Sequence, residues 1–264
     1  LLDDIFQQRQ DPWNLNPPPI LYKAEDQVYI YFTSGSSGIP KAVVGKNKSL
    51  RHFILWEIET FAITRGSRVS QFITPGFDAF LRDVFAPLLA GGVLCIPADK
   101  DVILDAEALI HWVDAHRVNL MHGVPSFFRL FSAHPLLHEN VFKSLKYVLL
   151  SGEKIKPPDL AHWYDVYGDR IPVVNLYGPT ETTMIKTFYF IQKVDLNKKN
   201  ISIGKPMKGA QIVILDDNNE VCDQLVTGEI HIRTPFRSDG YYNDPELTRQ
   251  RFTPNPFSND PGDV

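Results

Sequence analysis

Nine consecutive residues, Thr33, Ser34, Gly35, Ser36, Ser37, Gly38, Ile39, Pro40 and Lys41, combine four hydroxyls, two glycines and one cation. Glycines let backbone N–H groups turn inward at no steric cost, hydroxyls donate hydrogen bonds, and lysine adds a mobile positive charge. Phosphate oxygens match that set. A flexible surface linker has similar Ser and Gly content, but linkers do not usually follow a β-rich run such as VYIYF and end in Pro-Lys. The stretch is not a Walker loop, because Ala42 follows Lys41 where Ser or Thr is required and Pro40 interrupts the helix start.

A second stretch, NLYGPTETT at residues 175–183, supplies an aromatic, a Gly-Pro turn, threonines and a carboxylate. Tyr177 could stack on a planar base, Thr180 could bond a phosphate, and Glu181 could hold Mg2+, an ion that prefers oxygen ligands. Taken singly, a residue such as Tyr177 is more often a core or interface aromatic, and one such as Glu181 more often a solvated surface charge.

The elements that must position these residues alternate. VYIYF at residues 28–32 is a short strand, a polar loop follows, and Leu50, Phe53, Ile54, Ile58 and Phe61 then keep helical spacing. A helical stretch at residues 80–89 runs into GGVLCIP, which reads as a Gly-terminated helix followed by a buried strand. Residues 106–116 predict a helix and 118–121 a strand. LKYVLLSGE and IPVVNLYGPTETT each put an apolar strand directly before a polar, glycine-containing loop, the place where open α/β sheets bind ligands. Three such loops could converge on one crevice. After about residue 201, AQIVILDDNNEV predicts strand, turn and strand, and GEIHIRT alternates like a third strand. Pro, Asn and Gln make residues 1–20 a connecting segment, and the tail RFTPNPFSNDPGDV has loop chemistry. The expected organisation is an α/β unit over residues 1–200 and a smaller β-rich unit over 201–264.

Bulk properties exclude several functions. The 264 residues are 44% apolar and carry a net charge of -4 with both signs interspersed, which supports a globular core and argues against nucleic acid or anionic membrane partners. Cys95 and Cys222 lie in unrelated contexts without metal-ligand spacing, so a reducing, cytoplasmic location is expected. No run is long enough to cross a bilayer.

YIYFTSGSSGIPKAV, NLYGPTETT and GEIHIRT...RSDGYYNDPELTRQRF occur in an order and spacing that resemble the adenylate-forming superfamily over residues 28–252. That superfamily includes adenylation domains of nonribosomal peptide synthetases, acyl- and aryl-CoA ligases and firefly luciferase. GYYNDPELTRQRF together with FDAFLRDVFAPLLAGGVL looks most like the amino-acid-activating members. The resemblance implies layered α/β sheets with flanking helices plus a smaller β-rich subdomain. It further implies ATP-dependent formation of an aminoacyl adenylate with release of pyrophosphate. The adenylate is destined for the phosphopantetheine thiol of a partner carrier domain within a larger synthetase.

Residue by residue, the resemblance gives the pyrophosphate cradle to Thr33, Ser34, Gly35, Ser36, Ser37, Gly38 and Lys41. Tyr177 corresponds to the aromatic on adenine, Asn175, Gly152 and Glu153 to the base lining, and Gly178 to the adjoining turn. Thr180 approaches the α-phosphate, so that Thr180 and Lys41 stand nearest the reaction, and Glu181 corresponds to the Mg2+ ligand. Two anions must meet in this chemistry, which is why N–H donors, lysine and Mg2+ are needed. Asp78 corresponds to the carboxylate that pairs with a substrate α-ammonium, although Asp before a helix is also an ordinary cap. The side-chain pocket is then expected from Ala79, Arg82, His122, Leu149, Ser151, Leu176, Met184 and Ile185. Arg82 and His122 stand out in this apolar set. Either the substrate side chain ends in a hydrogen-bonding or acidic group, or Arg82 turns away to pair with Asp83 or another surface carboxylate and His122 is a neutral core residue.

Departures from the family pattern accompany the matches. The Tyr/Phe-x-Thr-Gly-Asp motif that holds ribose is not found before residue 264, and Asp263 in DPGDV is a poor substitute. The C-terminal subdomain with its catalytic lysine is missing, Ala42 replaces a usual glycine, and KNKSL lacks a usual histidine. These 264 residues alone are therefore expected to adenylate slowly or not at all. An acyl- or aryl-CoA ligase, which lacks the Asp78 anchor, and a non-catalytic core serving as an interaction module are the alternatives.

Overall fold

In the computed structural model, which describes residues 22–34, 40–258 and 263, QVYIYFT forms strand β1 (Gln27–Thr33) and KAVVGK forms β2 (Lys41–Lys46). The two pair antiparallel from Gln27↔Lys46 to Thr33↔Lys41, so the residues at the two ends of the hydroxyl and glycine stretch, Thr33 and Lys41, stand opposite each other. Sequence reasoning places no strand at β2. Its two lysines and a glycine have poor β propensity, and its order comes from neighbours on both sides: β1, and β12 (Gly240–Tyr241), which pairs through Gly240↔Val44 and Tyr241↔Val43. Gly45 is needed there because a Cβ would enter the Tyr29 ring on β1.

Helix α1 (Asn47–Thr60) follows at once, with Phe53, Ile54 and Trp56 buried. A seven-stranded sheet then runs in the order β4-β3-β5-β6-β7-β8-β9. Its parallel part comprises β3 (Arg68–Ser70), β4 (Val93–Cys95), β5 (Leu120–Gly123), β6 (Tyr147–Leu150) and β7 (Val173–Tyr177). The last two strands, β8 (Thr187–Phe190) and β9 (Lys205–Pro206), are antiparallel. Crossovers are made by α2 (Ala79–Leu89), α3 (Asp101–Leu104), α4 (Ala106–Ala115), α5 (Pro125–Phe131) and α6 (Ala161–Tyr167).

Strand side chains alternate between faces, and the two cores divide along that alternation. Met121, Val148, Leu150 and Val173 join one apolar cluster with Phe128, Phe131 and Trp163; Leu120, Leu149, Val174 and Leu176 join the other with Phe53 and Ile54. Both faces are covered, so these strands read as continuous apolar runs.

Three expectations need correction. The strand expected at residues 118–121 sits two residues later, because the Asn119 side chain is spent holding the Arg68 N–H and the Ser144 carbonyl at the sheet edge. The strand in GGVLCIP is an edge strand rather than a buried one, with Val93 exposed and only Cys95 buried. The second strand of AQIVILDDNNEV shrinks to a single bridge, Leu215↔Val221. Asp216 closes that turn by accepting from Asn218 and Glu220 N–H, but one apolar residue cannot sustain a ladder. β10 (Gln211–Leu215) pairs over its whole length with β11 (Glu229–Arg233).

The β-rich stretch beyond residue 201 is shared among the three sheets: β9 extends the large one, β12 joins β2, and β10 and β11 form their own ribbon. Helix α7 (Pro245–Arg251), capped by the Asp244 carboxylate, follows β12.

Candidate functional site

The β1–β2–β12 sheet, the turn after β7 and the start of α2 come together: Tyr29 reaches Thr183, Tyr241 reaches Glu181, and Thr180 hydrogen-bonds Asp78. Thr33 and Lys41 face each other across the β1–β2 pair, and Ser34 is exposed; Gly35, Ser36, Ser37 and Gly38 lie outside the described residues. Lys41 Nζ stands 5.8 Å from the centre of the Tyr241 ring, a cation–π contact. The Tyr241 hydroxyl donates to Glu181 Oε1 at 2.6 Å. Burial, and then that carboxylate, push the phenol well above its usual range, so it stays a donor. A cleft of about 860 Å3 opens here, lined by Ser34, Lys41, Glu181, Tyr241, His231 and Arg251 among others. Lysine, a tyrosine-oriented carboxylate and hydroxyls on one wall suit a phosphate accompanied by a hard cation. Among the described residues no group of three or more His, Cys, Asp or Glu could hold a metal, so Glu181 would have to share Mg2+ with ligand oxygens.

The turn after β7 folds tightly back. Gly178 is obligatory, because a Cβ would lie 2.7 Å from both Ile185 Cα and Lys186 N. Thr183 and Met184 both take left-handed conformations, φ 65° and 61°, uncommon for side chains of that kind and a mark of a turn held by its surroundings. The Lys186 N–H closes the turn on the Tyr177 carbonyl at 2.8 Å, and Tyr29 donates to Thr183 Oγ1 at 3.4 Å. Thr180 is thereby set against Asp78. Burial raises the Asp78 carboxyl above its ordinary value, opposed by the Thr180 hydroxyl, the Arg82 charge and the Ala79 and Met184 N–H groups. Asp78 does not cap α2 with its side chain, and its Oδ2 is buried with no hydrogen-bond partner among the described residues. A buried carboxylate oxygen without a partner, on a half-buried residue, suits a cation.

The remaining expected residues fall into two groups. Arg82 Nη2 donates to Ser151 Oγ at 3.2 Å, His122 and Leu149 are adjacent in the β5–β6 register, and Leu149, Leu176, Met184 and Ile185 share one buried cluster. Gly152 (φ 88°) makes the turn after β6, where its conformation favours glycine. Glu153 and Asn175 are committed elsewhere. The Glu153 carboxylate accepts from the Ser126 N–H and hydroxyl at the start of α5, and Asn175 Nδ2 donates to the Ser202 carbonyl at 2.8 Å. Both thereby tie loops together. Tyr177 is half-buried at the end of β7.

Arg82 pairs with Asp83, its Nε 3.7 Å from Oδ1, and both are fully buried rather than at the surface. His122 lies between Asp83 and Glu57, at 3.0 and 3.2 Å. Burial and Arg82 act to lower its pKa, but the two carboxylates outweigh them and raise it, which favours the protonated form. Sequence reasoning missed Tyr241, Lys186 and Glu57 as parts of this region. Glu57 carried a signal: it falls on the apolar face of α1, four residues after Phe53 and four before Phe61.

The AMP-binding enzyme family matches residues 2–242. The chain belongs to that family. Among curated AMP-binding relatives it is 32% identical over 254 residues to tyrocidine synthase 3 of Brevibacillus parabrevis, covering 96% of this chain and 4% of that protein. Bacitracin synthase 1 of Bacillus licheniformis is 29% identical over 257 residues, 96% of this chain and 5% of that protein. The chain thus spans a small fraction of the length of these relatives. Among solved structures, the nonribosomal peptide synthetase FmoA3 superposes with a TM-score of 0.80 at 26% identity, over 89% of this chain and 25% of that one. CmiS6 does so with a TM-score of 0.81 at 26% identity, over 91% and 56%. The layered α/β fold described above is shared with FmoA3 and CmiS6. Among the described residues no helix is long and apolar enough to cross a membrane.

Proposed function

We propose that the chain activates an α-amino acid as an aminoacyl adenylate for nonribosomal peptide synthesis. A carboxylate oxygen of the amino acid attacks the α-phosphorus of ATP, the bond to the pyrophosphate oxygen breaks, and pyrophosphate leaves. The single observation that carries the amino-acid reading is Asp78: a desolvated carboxylate with one unpartnered oxygen, facing Thr180 at the turn that also bears Glu181. The α-ammonium would pair with Asp78, and Thr180 would then sit between the amino acid and the α-phosphate. Lys41 and the hairpin tip would hold the pyrophosphate end, and Tyr177 would stack on the base. Mg2+, when bound, would offset charge between the reacting anions, with Glu181 as its protein ligand and Tyr241 orienting that carboxylate.

Residues 1–200 would carry the nucleotide and amino-acid sites, with the β10–β11 ribbon of residues 201–264 walling the cleft. The relatives are peptide synthetases, and an adenylation–PCP di-domain of Klebsiella oxytoca shares the fold. A carrier domain bearing phosphopantetheine is accordingly the partner we infer, in the cytosol. Because these 264 residues alone are expected to turn over slowly or not at all, equilibrium binding of alanyl-sulfamoyl adenosine by the chain tests the reading. Asp78→Ala should weaken that binding at least about tenfold, as expected for loss of a charged anchor in a dry site. Binding that is indifferent to Asp78 would favour an acyl- or aryl-CoA ligase.

A further inference from the structure

Arg82 follows Asp78 by one helical turn, helical side chains lean toward the N-terminus, and the Arg82 charge acts on the Asp78 carboxylate. Two contacts hold the guanidinium. Nη2 donates to Ser151 beyond β6, and Nε faces Asp83, whose Oδ2 accepts the Ile73 N–H at 3.3 Å. Asp83 Oδ1 also lies 3.0 Å from His122 on β5, and His122 in turn reaches Glu57 on α1. All four ionisable side chains are 0% exposed. With His122 protonated, two cations and two carboxylates sum to zero net charge, the condition under which such a group of charges rests at this depth.

No water-sized space touches Arg82, His122 or Leu149, while Asp78 and Ala79 retain open surface. A substrate ammonium held by Asp78 would therefore direct its side chain toward a filled floor. A carboxylate-ended side chain would also add an uncompensated charge to a network that is already neutral.

We propose that Glu57, His122 and Asp83 hold the Arg82 side chain as a plug beneath the amino-acid site, so that the substrate is an α-amino acid with a side chain no larger than methyl or hydroxymethyl. This rests on the amino-acid reading above. Glu57 and Asp83 are positioning residues; they act through Arg82 and touch no substrate.

Calorimetric titration of the full chain with aminoacyl-sulfamoyl adenosine analogues tests the plug. The glycyl, alanyl and seryl compounds should bind at least about tenfold tighter than the leucyl, glutaminyl and glutamyl ones. The double variant Arg82→Ala/Glu57→Gln removes one cation and one carboxylate, leaving Asp83 and His122 neutral together. In it the leucyl compound should gain at least about tenfold relative to the glycyl one. A wild-type chain that binds any of the three large analogues as tightly as the alanyl one overturns the plug and leaves the amino-acid reading intact. A chain that binds a propionyl-sulfamoyl analogue as tightly as the alanyl one overturns both. The wild-type panel separates these outcomes even where the double variant melts early.

Discussion

Asp78 and Lys186 are a pair of opposite charges that do not meet. Lys186 is 0% exposed, and its Nζ donates to the Thr183 and Ile185 carbonyls at 3.0 and 3.2 Å, with no carboxylate in ion-pair range among the described residues. Burial drives the ammonium down from 10.5 to about 7, with the charge of Asp78 the one opposing influence. The folded chain thus gives up a proton that the unfolded chain keeps between about pH 7 and 10.5, so wild-type stability from this group rises with pH across that window. Lys186→Met should stabilise the fold by about 1–3 kcal/mol near pH 6. Its gain in melting temperature should shrink as pH approaches 10; a constant gain would show that Lys186 is not charged and strained in the fold. The carboxylate of Asp78 is left free of this lysine, and so free for a ligand.

At the scale of elements, β5, α1 and α2 are tied by charge as well as by apolar packing. His122 is faced by Glu57 from α1 and by Asp83 and Arg82 from α2, and its folded pKa lies above the ordinary 6.5. The stabilisation it contributes is complete below 6.5 and is lost as pH rises through the folded value. His122→Asn should cost about 3 kcal/mol near pH 6. The gap in melting temperature from wild type should narrow toward pH 9, whereas a pH-independent gap would mean that His122 is neutral. The parallel strands were legible in the sequence because burial on both faces leaves unbroken apolar runs such as YVLL and VVNL before polar loops. β2 was not legible, since β1 and β12 supply its order and its own residues do not. The turn residues Gly178, Thr180 and Glu181 were legible by motif. Tyr241 was not: nothing local says that pairing with Val43 brings its hydroxyl to Glu181. The charged cluster of Glu57, Asp83, Arg82 and His122 is drawn from α1, α2 and β5, which only the tertiary fold assembles.

For the whole molecule, a doubly covered sheet presents two loops at its strand ends, and the β1–β2 hairpin with β12 closes over them, bringing Lys41, Glu181 and Tyr241 to one cleft. Asp78, the proposed amino-acid anchor, directly precedes α2 and is hydrogen-bonded by Thr180, so nucleotide and amino acid would approach from different elements and meet at Thr180. Membership of the AMP-binding family gives the chemistry class, and under the proposed reading Asp78 would distinguish an amino acid from other carboxylates. The most direct test compares two ligands that differ only in the α-ammonium, alanyl- and propionyl-sulfamoyl adenosine, by equilibrium titration of the full chain and its Asp78→Asn variant. The alanyl compound should bind the wild type at least about tenfold tighter, and the variant should lose that preference. Equal affinity of the wild type for both compounds would contradict an ammonium anchor at Asp78.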